Sequence, residues 1–128
     1  MTDLAPSAAE LYVEAGASGH VTTLRLTGTL NLYTAPILAV RLDEALKCGA
    51  WHVVLTLAKL EDMAAEEGVG ALLRALRRVQ AGHGTLLLAE VPDMVRRAIR
   101  TRGLGLVLPA FPTEDAAVGF LTSCGGAA

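Results

Sequence analysis

The stretch "KLEDMAAEEGVGALLRALRRV", residues 59–79, decides the fold. It follows "WHVVLTLA" (51–58), an unbroken apolar run of the kind found in a strand covered on both faces. Within the stretch itself, Val69, Leu72, Leu73, Leu76 and Val79 recur at helical spacing, with the arginines largely on the other side. A buried strand therefore passes into an amphipathic helix, and Glu66 and Glu67 stand at the junction. Acids in a first helical turn complement the macrodipole, at about 0.3–1 kcal/mol each.

Upstream, "LYVEAG" and "HVTTLRLTG" carry β-branched residues on either side of the turn-rich "ASG" and read as a hairpin. Thr34 is placed to cap a helix whose first turn tolerates Pro36. Leu38, Leu42, Ala45 and Leu46 give that helix one apolar face, and Gly49 stands where such helices stop. Downstream, "GHG" (82–84) breaks the long helix and "TLLLAEV" (85–91) is a second buried strand. Pro92 opens a short helix holding Val95, Ala98 and Ile99, which ends near Gly103. "LVLPAF" (106–111) reads as a last short strand, and "TEDAAVGFLTSC" (113–124) as a terminal helix capped by Thr113.

After the hairpin, helix and strand alternate, which calls for right-handed crossovers and a mainly parallel sheet. The expected fold class is α/β: a mixed, mainly parallel sheet of about five strands with about four helices packed on it. The expected boundaries are a flexible N-terminus at 1–9, one domain at 10–122, and a flexible C-terminus at 123–128.

At 128 residues the chain suffices for a single core, built from Leu, Val and Ala because aromatics make up only 4%. Its apolar runs are too short to span a bilayer, and "MTDLAPSAAE" lacks the layout of a signal peptide. Cys48 and Cys124 have no paired spacing and read as reduced thiols, so a cytoplasmic location without membrane insertion is expected.

Few residues invite chemistry. His20, His52 and His83 lie in or beside different elements without ligand spacing, so no metal or other cofactor is expected. Ser7, Ser18 and Ser123 lie near ends or turns and none occupies a strand-to-helix elbow, which argues against a hydrolase. "GVG" at 68–70 lacks the lysine of a phosphate loop and reads as close helix–sheet packing. The chain is expected not to be an enzyme. Net charge is −2, yet seven of eleven basic residues fall between Arg74 and Arg102. No aromatic interleaves with these arginines, so they read as solvated helix faces open to an acidic protein, with no nucleic acid expected.

Several segments in order resemble the STAS domain of bacterial anti-sigma factor antagonists. "LRLTGTLNLYTAPILAVRLDEAL" is similar to that family's strand, "G-x-L-D-x-x-T-A" and helix: Gly28, Leu30, Thr34 and Ala35 match, while Asn31 replaces the usual aspartate. "VVLTLAKLEDM" resembles its central strand, and "GVGALLRALRRVQAGHGTLLLAEVPDMVRRAIRTRGLGLVLP" tracks the elements that follow, so the likeness spans about residues 10–122. Phospho-switched members carry "D-S-S-G" at the start of the second helix, with a serine modified by a kinase-like anti-sigma factor. Here the stretch is "AAEEG". Anchoring on Gly68 puts Glu67 at the acceptor, and anchoring on the strand puts Glu66 there; the usual aspartate becomes Ala64 or Ala65. No Ser, Thr or Tyr occurs between Thr56 and Thr85, so the switch is lost. The glutamates are either helix-start acids or a phosphomimetic charge, incomplete because phosphoserine carries about −1.5 to −2 charges and three acceptor oxygens.

The resemblance implies a non-catalytic module that binds a kinase-like anti-sigma factor in the control of sigma-factor-dependent transcription. Carried over, the contact surface is Asn31, Leu32, Tyr33, Thr34, Met63, Glu66, Glu67, Gly68 and Ala71. Tyr33 serves there either as an anchor or in packing at the helix start. The chain would act as a monomer or weak homodimer. Other roles known among such domains stay open: an accessory or scaffold subunit in a lipid-transport ABC system or a stress-signalling assembly, or the sensing of a small ligand.

Overall fold

The computed structural model describes residues 10–18, 20–49 and 51–126. Its elements are β1 (Leu11–Ser18), β2 (Val21–Leu30), α1 (Ala35–Lys47), β3 (His52–Met63), α2 (Ala65–Ala81), β4 (Thr85–Ala89), α3 (Asp93–Thr101), β5 (Ala110–Phe111) and α4 (Glu114–Gly126). The strands lie in chain order, β1 antiparallel to β2 and the rest parallel. This is the five-stranded α/β sheet with four helices that the alternation calls for. Of the nominal C-terminal tail, 123–126 continue α4, while 127–128 and the N-terminal 1–9 lie outside the described residues.

Val53, Val54, Leu55, Thr56 and Leu57 of β3 are all buried, because helices cover both sides of this middle strand. One core joins Val53, Leu55 and Leu57 to Leu38 and Leu42 of α1, Leu72 and Leu76 of α2, and Ile99 of α3. On the other face, Val54 and Leu87 pack against Ala117 and Leu121 of α4. A fully buried leucine contributes about 1.5–3 kcal/mol and an exposed ion pair at most about 1. The core therefore sets the arrangement, and the Arg78–Asp43 pair from α2 to α1 only trims it.

β3 runs on to Met63 by pairing with β2 up to Leu30, the span that the central-strand resemblance of "VVLTLAKLEDM" implies and that the apolar run alone does not reach. One segment departs from expectation. In "LVLPAF" only Ala110 and Phe111 form strand. Gly103 takes φ +69°, and the N–H groups of Val107 and Leu108 turn back to the Leu104 carbonyl. The segment is thus wound into a turn, with Leu108 buried and Leu106 98% exposed.

Helix starts are settled by hydrogen bonds that the sequence places only in part. Thr34 is not a simple cap: its hydroxyl donates to the Thr29 carbonyl (2.8 Å) and accepts the Asn31 N–H (2.8 Å). Asn31 Oδ1 in turn accepts the N–H groups of Tyr33 (2.9 Å) and Thr34 (3.1 Å), and its carbonyl accepts from Ala35. Asn31 and Thr34 form a reciprocal capping box around the turn leading into α1. That geometry needs a side-chain oxygen and no charge, so asparagine serves as well as aspartate. For α4, Thr113 Oγ1 accepts the Ala116 N–H (3.0 Å), as its sequence suggests, and the Glu90 carboxylate accepts the Glu114 N–H (2.9 Å). Helix α2 starts at Ala64, which has no side chain able to cap it.

The Glu114 carboxylate also takes a two-point contact from Arg25 (3.0 and 2.8 Å) and the Thr56 hydroxyl (2.7 Å). The Arg25 hydrogen bonds hold it below the usual carboxylate range, against the opposing effect of burial. A lowered folded-state pKa stabilises above the unfolded value and loses that contribution as pH falls. The stability gap between the wild type and Glu114→Gln, measured by urea unfolding, is therefore expected to be full at neutral pH and to shrink below about pH 4.3. The caps are tested the same way at neutral pH. Asn31→Ala is expected to cost about 1 kcal/mol and Asn31→Asp little, whereas Ala64→Asp should stabilise by about 0.5–1 kcal/mol.

Candidate functional site

The parallel ladder between β2 and β3 ends with Leu30 opposite Met63, and the Ala64 N–H then donates to the Leu30 carbonyl (2.9 Å). The two chain segments that follow, 31–34 and 64–67, leave the sheet side by side. This brings the two halves of the expected surface together at the C-terminal ends of the middle strands.

The nine residues divide into two sets. Leu32 (63% exposed) and Tyr33 (78%) face solvent, as do Glu66 and Glu67, and Asn31 is half-buried. Thr34, Met63, Gly68 and Ala71 are buried and lie beneath these exposed side chains. The reasons are local. Thr34 is held inside by the capping box, and Ala71 fills the seam where α2 meets α1. Gly68 lies so close to Met63 that a Cβ at this position would overlap the methionine side chain. These four residues shape the surface from beneath, and Gly68 bears out the close packing read from "GVG".

The glutamates occupy different flanks of α2. Ala71, Arg74, Ala75 and Arg78 line its seam with α1. Glu67 lies one turn before Ala71 and so on the α1 side. Glu66 lies one turn before Gly70 and two before Leu73, on the opposite flank. The first bond closing α2 runs from the Gly68 N–H to the Ala64 carbonyl (2.7 Å), which leaves the N–H groups of 65–67 at an uncapped terminus. The two carboxylates are the charges that answer it. The hydroxyls of Thr34 and Thr56 are both engaged in hydrogen bonds, to Thr29 and Glu114. The corner presents charge, an aromatic ring and apolar area to solvent.

Sequence reasoning missed part of this surface. Ile37 (39% exposed) and Val40 (56%) follow Tyr33 at spacings of four and three, forming an apolar stripe along α1. Ala35, Leu38, Ala39 and Leu42 face α2, so the stripe lies on the outer side. The signal was present in "YTAPILAV" but was masked by the stronger buried face of the same helix.

Among the described residues no helix is long and apolar enough to cross a membrane. The chain is 27% identical over 105 residues to an anti-sigma F factor antagonist of Paenibacillus polymyxa, covering 81% of this chain and 89% of that one. Its fold matches the crystal structure of an anti-sigma factor antagonist from Mycobacterium paratuberculosis with a TM-score of 0.76 at 19% identity, over 86% of this chain and 92% of that one. It also matches the anti-sigma factor antagonist SpoIIAA. The unphosphorylated form gives a TM-score of 0.73 at 22% identity, covering 88% and 97% of the two chains. The phosphorylated Bacillus form gives 0.67 at 21%, covering 86% and 99%. The sequence pattern of the STAS domain matches residues 12–117. With the sheet order, the paired strand ends and this match in agreement, the chain belongs to the STAS domain family.

Proposed function

We propose that this chain is an anti-sigma factor antagonist-type module that docks a kinase-like anti-sigma factor without being switched by phosphorylation. The observation that carries the reading is the exposed pair Leu32 and Tyr33 beside first-turn carboxylates, on a helix start that holds no hydroxyl. The likeness to a curated anti-sigma F factor antagonist supports the class of partner. SpoIIAA, solved with and without phosphate, gives the comparison for a switched relative.

In this reading Tyr33 is the anchor. Its ring is free of the core, and it supplies a large contact area at a small entropic cost. Leu32, Ile37 and Val40 extend the apolar contact, and Glu67 sets the charge on the flank nearest α1. A fixed carboxylate leaves the domain in one state where a phosphorylated relative has two. The extent of binding is then set by concentration and not by a modification cycle.

The test is titration of candidate kinase-like anti-sigma factors by calorimetry. Tyr33→Ala is expected to weaken binding by about tenfold or more, the range of an interface hot spot, with the fold intact by circular dichroism. Incubation with the partner and ATP is expected to leave residues 60–84 unmodified by mass spectrometry, and phosphate there would contradict the proposal. Glu66→Ser and Glu67→Ser separate the roles of the two acids. Each is expected to cost about 0.3–1 kcal/mol of stability as a first-turn acid, and Glu67→Ser alone should also alter binding.

A further inference from the structure

A second surface, of opposite charge, shares no residue with this corner. Seven arginines and two acids fall between residues 74 and 102, a net charge of +5. The rest of the chain holds four basic and eleven acidic residues, a net charge of −7. On α3 the exposed Arg96, Arg97 and Arg100, with Arg102 just beyond, have no carboxylate partner among the described residues. Beside them is a groove of about 460 Å³. Its floor is the buried Val91, Ile99 and Leu108, its rim is Arg96 and Arg100, and Leu106 stands almost fully exposed at one lip. None of its lining residues is acidic. These exposed guanidinium groups are solvated and unengaged, so they can pair with carboxylates of a partner that also fills the apolar recess beside them.

We infer that this groove docks an acidic protein segment bearing an apolar side chain, on a face independent of the Tyr33 corner. Charge complementarity selects the acidic flanks, since arginine pairs with carboxylates in a two-point geometry. The recess selects the apolar side chain, which Val91, Ile99 and Leu108 would cover while Leu106 closes over it. A bilayer surface would use the charge but would leave the recess empty. A nucleic acid would want aromatic rings among the arginines, and Arg96, Arg97, Arg100 and Arg102 have none between them.

The experiment uses the whole chain and a short fluorescein-labelled peptide in which a leucine pair is flanked by aspartates and glutamates, read by anisotropy. A control peptide carries serines in place of the leucines. Saturable binding of the leucine peptide is expected, weakened by raising salt to about 0.5 M. It should fall about tenfold in the Arg96→Glu/Arg100→Glu double variant and severalfold in Leu106→Ser, and stay unchanged in Tyr33→Ala. All of these side chains are exposed, so folding should survive, and circular dichroism checks it. Equal binding of both peptides, binding that persists in the double variant, or no binding up to about 1 mM peptide would each overturn the inference. So would sedimentation with phosphatidylglycerol vesicles in the absence of peptide binding.

Discussion

The hydrogen bond from the Ala64 N–H to the Leu30 carbonyl closes the ladder between the two middle strands, and the rest of the surface depends on it. Leu30 is fully buried and Met63 nearly so, which prevents either strand end from slipping. A shift of one residue would turn each strand's apolar set to the wrong face of the sheet. With this register held, the segment at 31–34 and the start of α2 emerge together. Asn31 and Thr34 then stiffen the first of these by capping each other's backbone, and Gly68 lets the second approach Met63 without a Cβ between them. The exposed side chains are thus presented by a frame whose own polar groups are already engaged.

Two oppositely charged surfaces follow from how the chain distributes its charges. Acids dominate outside residues 74–102 and supply the two carboxylates at the start of α2. Arginines dominate within that range, bordering the α1–α2 seam at Arg74 and Arg78 and covering the exposed side of α3 at Arg96, Arg97 and Arg100. A domain of net charge −2 can therefore present a carboxylate corner to one partner and a guanidinium groove to another. In the proposed function the first surface has lost the hydroxyl that would let a kinase close it, so its availability no longer depends on nucleotide chemistry. The second surface rests on arginine, which stays charged at any physiological pH.

Much of this could be seen in the sequence, for identifiable reasons. "WHVVLTLA" and "TLLLAEV" are continuous apolar runs because their strands are covered on both faces, and the 3.6-residue spacing of Val69, Leu72, Leu76 and Val79 reflects a helix with one buried side. Gly49 takes φ +96° just after α1, as a helix-stopping glycine should. What could not be read depended on contacts distant in the chain. The end of β3 at Met63 is set by pairing with β2 and has little apolar pattern of its own, so periodicity stopped short of it and only the resemblance of "VVLTLAKLEDM" reached it. The apolar letters of "LVLPAF" mimic a strand, but Gly103 turns the chain before it can pair. Glu114 finds Arg25 across 89 residues, a meeting that no local spacing announces. At the site, the family resemblance set the glutamates where the acceptor hydroxyl would stand, whereas which of the nine residues are exposed and which buried depends on the cap and the α1–α2 seam.

Amide hydrogen exchange, followed by mass spectrometry on the chain with and without a kinase-like anti-sigma factor, tests the central claim most directly. Added protection is predicted in peptides covering 31–40 and 64–71, with α4 unchanged and no phosphate gained when ATP is present. Protection confined to α4 or to the β1–β2 hairpin would contradict the account, because the paired strand ends would then not be where the partner sits.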